Sequence, residues 1–179
     1  MKKILFVVAA LLLFVGCDAV MNSPTKRVEA FLSDYQTMDD EVLSQLDDTL
    51  NGEELLTDEH KSAYKEIMKR QYQNITYTIK DEIVDGNKAT VTTEIEVYDY
   101  SKAMKEADDY LIQNKNEFTD NDGNVDNEKF MTYKIEQMKN VKDKVKYTIP
   151  FTLTKEDKEW ILDDISESDR QKIHGIYSE

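Results

Sequence analysis

The chain has 179 residues, of which 37 are acidic and 23 basic, for a net charge of −14 at pH 7. An acidic balance of that size repels nucleic-acid phosphates and anionic headgroups, which excludes nucleic acid as a partner. The single cysteine allows no disulfide within the chain.

The chain opens on Met1-Lys2-Lys3, and Ile4 to Val15 follow without a polar side chain. A bilayer-spanning helix needs about 20 apolar residues, whereas a secretory leader needs only about 7–15 behind a basic start. The run ends in Phe14-Val15-Gly16-Cys17. This resembles the bacterial lipoprotein signal, in which an apolar residue, a small or β-branched one, and Gly or Ala precede cysteine. Phe14 stands where leucine is commoner, with Leu13 beside it. The resemblance implies cleavage between Gly16 and Cys17 and a diacylglyceryl group on the Cys17 thiol. The protein would then be held at the extracytoplasmic face of the membrane, since two acyl chains anchor stably where one is marginal. Removing the sixteen leader residues from 179 leaves 163, and loss of the two leader lysines takes the net charge from −14 to −16. That length suits one domain, residues 23–179, behind a tether over 17–22.

Ser23 can cap a first helix with Pro24 in its first turn. Val28, Phe31, Leu32, Tyr35 and Met38 then recur at helical spacing. A second helix is expected over Asp40–Leu50, using Val42, Leu43, Leu46 and Leu50, and Asn51-Gly52 ends it. Thr57 can cap a third from Asp58 to about Gln73, with Ala63, Tyr64, Ile67 and Met68 as its stripe. The period then changes to two. Ile75, Tyr77, Ile79 and Ile83 alternate with polar residues, Asp85-Gly86-Asn87 turns the chain, and Ala89 to Val97 alternate again. This predicts a β-hairpin with one buried face.

Residues 101–140 predict a helical insertion, with Met104, Ala107, Leu111 and Ile112 inward, a polar break, and a helix from Asp126 to about Asn140. A second alternating run, Val145 to Leu153, contains Pro150 on its polar register. Proline cannot donate to a ladder, so the strand should be an edge there or carry a bulge. Glu159 to Asp163 complete a second hairpin, and Ser166 and Asp169 set a capping box for a last helix ended by Gly175. Helices followed by hairpins predict an α+β fold: a curved antiparallel sheet of about four strands packed on the N-terminal helices.

The stretches "SPTKRVEAFLSDYQTMD", "YKEIMKRQYQNITYTIKDEIVDGNKATVTTEIEVYDY" and "KVKYTIPFTLTKEDKEWILDDIS" resemble a nuclear transport factor 2-like domain of the kind found in lipoproteins of Gram-positive bacteria. The resemblance implies a cone, in which a bent sheet wraps helices and leaves a pocket at the open end. Its candidate lining is Tyr35, Tyr64, Tyr77, Tyr147 and Trp160, each an aromatic with a polar tip on an inward register. The segment 101–140 is longer than a minimal member needs between strands.

No constellation predicts a cofactor or a metal. Aligning the EF-hand pattern on Gly123 makes Asp122 and Asp120 ligands but puts Phe118 and Lys129 at the first and twelfth positions, where oxygen is needed. His60 falls in the first turn of a helix and His174 in the last turn of another, where partial positive charge suits the dipole. Neither has a nearby histidine or cysteine to complete a zinc site. Some enzymes of the resembled superfamily pair a pocket aspartate with a tyrosine donor; Asp81 is the one acid on the inward strand register. The leading reading is a non-catalytic, membrane-anchored module that binds a protein, peptide or small ligand. The alternatives are a small-molecule enzyme with a cone-shaped pocket and a structural accessory of an envelope or secretion complex.

Overall fold

The computed structural model describes residues 22–178. The leader, the Gly16–Cys17 junction and the tether before Asn22 lie outside the described residues.

The elements are α1 (Pro24–Thr37), α2 (Asp40–Gly52), α3 (Asp58–Gln73), β1 (Thr76–Asp85), β2 (Lys88–Tyr98), α4 (Tyr100–Gln113), a 3-10 turn (Lys115–Phe118), α5 (Asn127–Lys139), β3 (Lys144–Glu156), β4 (Glu159–Leu162) and α6 (Glu167–His174). Among the described residues, six α-helices and one four-stranded antiparallel sheet, ordered β1-β2-β3-β4 and not closed, make an α+β fold. No helix among them is long and apolar enough to cross a membrane.

Each α-helix begins on a side chain that takes an orphan backbone N–H. Ser23 accepts from Lys26 at 3.2 Å, Thr57 from His60 at 3.2 Å and Ser166 from Asp169 at 3.1 Å. Asp39, Asp99 and Asp126 accept from Glu41, Lys102 and Lys129, each at 3.0 Å. The Asp169 carboxylate also accepts from the Ser166 hydroxyl at 2.7 Å, so the two side chains expected to form a capping box do meet, but through the hydroxyl and not the Ser166 N–H.

The sheet buries one face. Ala89, Val91, Thr93, Ile95 and Val97 of β2 lie opposite Leu153, Phe151, Ile149, Tyr147 and Val145 of β3, and the β2 set is buried throughout. On the outer face Glu94 lies 3.3 Å from both Lys80 and Lys146. Hydrogen bonds from those two ammonium groups hold its carboxyl below the usual range. At Pro150 β3 is an edge, because β4 pairs only with Leu153 to Glu156. The missing proline N–H therefore breaks no ladder.

The first hairpin departs from simple alternation. Ile79 pairs with Thr93 but Asp81 pairs with Thr92, so Lys80 is the extra residue of a bulge. The one-residue slip exchanges the faces beyond it. Ile83, expected inside, is 61% exposed. Asp81, expected on the inner register, is exposed and paired on the outer one. Glu82 takes the inner register opposite Val91. There its carboxylate accepts from the Thr25 N–H at 3.0 Å and hydroxyl at 2.6 Å, placing negative charge at the N-terminus of α1 where the dipole favours it.

Helix α1 lies on the buried face, with Phe31 edge-on to Phe151 of β3 at 5.7 Å. Helix α3 packs on α1, and Tyr35 meets Tyr72 edge-on at 5.0 Å. Among the described residues the buried apolar core runs from Val28 to Ile173. Asn22 ties the start of the domain to the β3–β4 hairpin, donating to the Lys158 carbonyl at 2.8 Å and accepting from the Trp160 N–H at 3.3 Å.

The segment between β2 and β3 leaves the sheet at Tyr98 and returns at Lys144, which is directly opposite. Helices α4 and α5 close on each other over a small cluster of Ala107, Phe118 and Phe130, with Tyr110 and Tyr133 against it. Ile112, expected inward, is 76% exposed. Ile135 and Met138 of α5 join the main core, and Arg70 of α3 donates to the Lys139 and Val141 carbonyls at 2.8 and 2.6 Å. Gly175 ends α6 in the left-handed region at φ 70°. A Cβ there would collide with the Tyr98 carbonyl and the Gln71 amide, so glycine is required by space as well as by φ.

Candidate functional site: a methionine- and tyrosine-lined cavity

The helices do not close completely on one another. Between them lies a cavity of about 810 Å³. Helix α2 gives Val42, Leu46 and Leu50 to its wall, and the following loop gives Glu53, Leu55 and Leu56. Tyr35 comes from α1, Tyr64, Met68 and Tyr72 from α3, and Met104 from α4. Met131, Lys134, Ile135 and Met138 come from α5, and Glu167, Arg170 and His174 from α6.

The wall is chiefly apolar because these helices turn overlapping stripes toward it. Met131, Ile135 and Met138 recur at four- and three-residue spacing on α5, as do Leu46 and Leu50 on α2. Four methionines face one space. Their unbranched thioether chains adapt to irregular shapes, so such a wall can fit around ligands of varied outline.

The polar tips cluster around Tyr72. Its hydroxyl lies 3.3 Å from Nε2 of His174, and their rings are 5.7 Å apart. Burial, helped by Arg170 and opposed by Glu167, pulls the His174 imidazole down to about 4. The ring is therefore neutral at neutral pH, and its expected role as a positive charge on the helix dipole is not the one it plays. Burial likewise pushes the Tyr72 phenol well above its ordinary value, with Tyr35 and Tyr64 adding to the effect. A protonated phenol and a neutral imidazole can donate and accept hydrogen bonds.

Of the five aromatics expected to line a pocket, the structure brings Tyr35 and Tyr64 to this wall. Tyr77, Tyr147 and Trp160 are placed elsewhere. Tyr77 stands on β1, half-buried, in the field of Glu29 and Lys26. The Tyr147 hydroxyl donates to the Tyr177 carbonyl at 3.4 Å, and its ring meets that of Tyr177 edge-on at 5.7 Å. Trp160 is a buried core residue under the Lys155 ammonium, 5.3 Å from its ring. The reason is topological: the cavity lies among helices, whereas those three side chains belong to strands. The methionines and His174 were the missed lining. The apolar spacing on α5 was a signal for an inward face, but not for what that face would meet.

The remaining chemistry-bearing residues have local duties. Asp120 Oδ1 accepts from the Asp122 and Asn124 N–H groups, each at 2.9 Å, so that carboxylate closes its own turn. His60 is buried with Nε2 2.9 Å from the Thr132 hydroxyl, pinning α3 to α5. Among the described residues no group of three or more His, Cys, Asp and Glu could hold a metal ion.

No protein-family model matches the sequence, and no curated protein matches it. Among solved structures the chain is similar to a "putative lipoprotein (ycdA)" from Bacillus subtilis, at 16% sequence identity and a TM-score of 0.42. The similarity covers 92% of this chain and 51% of that one, so the chain spans about half the length of the protein it resembles.

Proposed function

We propose that this chain is a lipid-anchored extracytoplasmic module that binds a small apolar ligand in the cavity between its helices. The observation that carries the binding reading is the cavity itself. Its volume of about 810 Å³ lies within the roughly 300–1,000 Å³ of sites that enclose small molecules, and a few polar tips interrupt an apolar wall. The anchoring reading draws on Phe14-Val15-Gly16-Cys17 behind the apolar leader. The fold is read as a nuclear transport factor 2-like cone, supported by the packing of α1 on the buried face of the sheet.

The binding test uses the mature chain from residue 17 with Cys17→Ala and the neutral dye N-phenyl-1-naphthylamine. Saturable one-to-one enhancement of fluorescence is expected, and Met131→Trp, which fills the wall, should abolish it while circular dichroism stays unchanged. Equal binding by the filled variant contradicts the reading. The anchor is tested separately: in the full chain Cys17→Ala should end acyl labelling and release the protein from membranes. Unchanged labelling contradicts it.

A further inference from the structure

The charges on the cavity wall narrow the ligand's chemistry, taking the binding reading above as the premise. Both wall cations are already paired with an acid. Lys134 lies 2.6 Å from Asp108, and Arg170 lies 3.7 Å from Glu167. Two acids on the same lining are not paired. Asp48 and Glu53 have no side-chain hydrogen bond or ion pair among the described residues, although Asp47 next to them holds Lys65. Glu53 also stands near enough to Tyr64 to add to burial in raising that phenol. An aromatic face attracts a cation, and a nearby carboxylate adds to the attraction. The chain's net charge of −14 acts in the same direction at longer range.

We infer that the ligand is an apolar molecule carrying one positive charge, an amine or a quaternary ammonium. Its tail lies among the methionines and its cation sits at the rim formed by Asp48 and Glu53. An anionic amphiphile of the same length meets two unpaired carboxylates there and finds both wall cations occupied.

The test is competition against bound N-phenyl-1-naphthylamine in the mature Cys17→Ala chain. Dodecyltrimethylammonium and dodecanoate are compared at low salt, both below micelle formation. The ammonium should displace the dye at a concentration at least about threefold lower, the scale expected of exposed charge pairs. The difference should shrink with added salt and vanish in D48N/E53Q, with displacement referred to that variant's own dye affinity. Equal displacement, preference for dodecanoate, or a preference that survives D48N/E53Q would overturn the inference while leaving the cavity reading intact. Failure of the dye itself to bind would overturn both.

Discussion

The side-chain amide of Gln71 holds both backbone groups of Tyr98. The Tyr98 N–H donates to Oε1 at 2.9 Å, and Nε2 donates to the Tyr98 carbonyl at 3.3 Å. Gln71 is fully buried, and Nε2 also lies 3.5 Å from the Ile173 carbonyl. One side chain thus joins α3, the end of β2 and α6 at the point where Gly175 leaves it room. Gln71→Leu keeps most of the volume and strands those buried groups. It should cost about 2–4 kcal/mol, read as a lower urea midpoint; an unchanged midpoint would show that the clamp does not hold the fold.

His174 makes stability depend on pH. Its folded value of about 4 lies below the ordinary 6.5. Between those values the unfolded chain takes up a proton that the folded chain refuses, so stability falls as pH drops from about 6.5 towards 4. Above 6.5 the group contributes no slope. The loss should be on the order of 2 kcal/mol, allowing for the partial exposure of the ring. In His174→Gln the fall between pH 7 and pH 5 should be smaller than in the parent chain. Identical pH profiles for the two would contradict a neutral, buried imidazole.

The bulge at Lys80 gives two isoleucines opposite fates. Ile83 is 61% exposed and Ile95 is 0% exposed. Ile83→Thr should change stability by no more than about 0.5 kcal/mol, whereas Ile95→Thr should cost about 2–3 kcal/mol. Comparable losses from the two substitutions would mean that alternation continues unbroken through the hairpin.

The contrast between those residues also shows what the sequence could reveal. Periodicity located helices α1 to α5 and strands β1 to β3, because burial of a stripe or a face leaves a repeat that needs no tertiary knowledge. Ser23, Thr57 and Ser166 were legible as caps because capping is local chemistry. The bulge was not legible: one extra residue leaves no composition signal, yet it turned Ile83 and Asp81 outward and sent Glu82 to the N-terminus of α1. The cavity was half legible. Tyr35 and Tyr64 lie on inward stripes that happen to border it, whereas Tyr77, Tyr147 and Trp160 are just as inward but face other neighbours. Which buried face adjoins a gap depends on how whole helices stack, and α5 reaches the cavity only because the segment 101–140 folds back across α3.

The most direct measurement uses methionine-methyl NMR of the mature Cys17→Ala chain labelled with 13C at those methyls and titrated with N-phenyl-1-naphthylamine. Met68, Met104, Met131 and Met138 line the cavity, and Met38, which caps α1, does not. The account predicts that the four cavity methyls shift together and saturate at one equivalent, while Met38 stays in place. Shifts confined to Met38, or no methyl shifts at saturating dye, would contradict it.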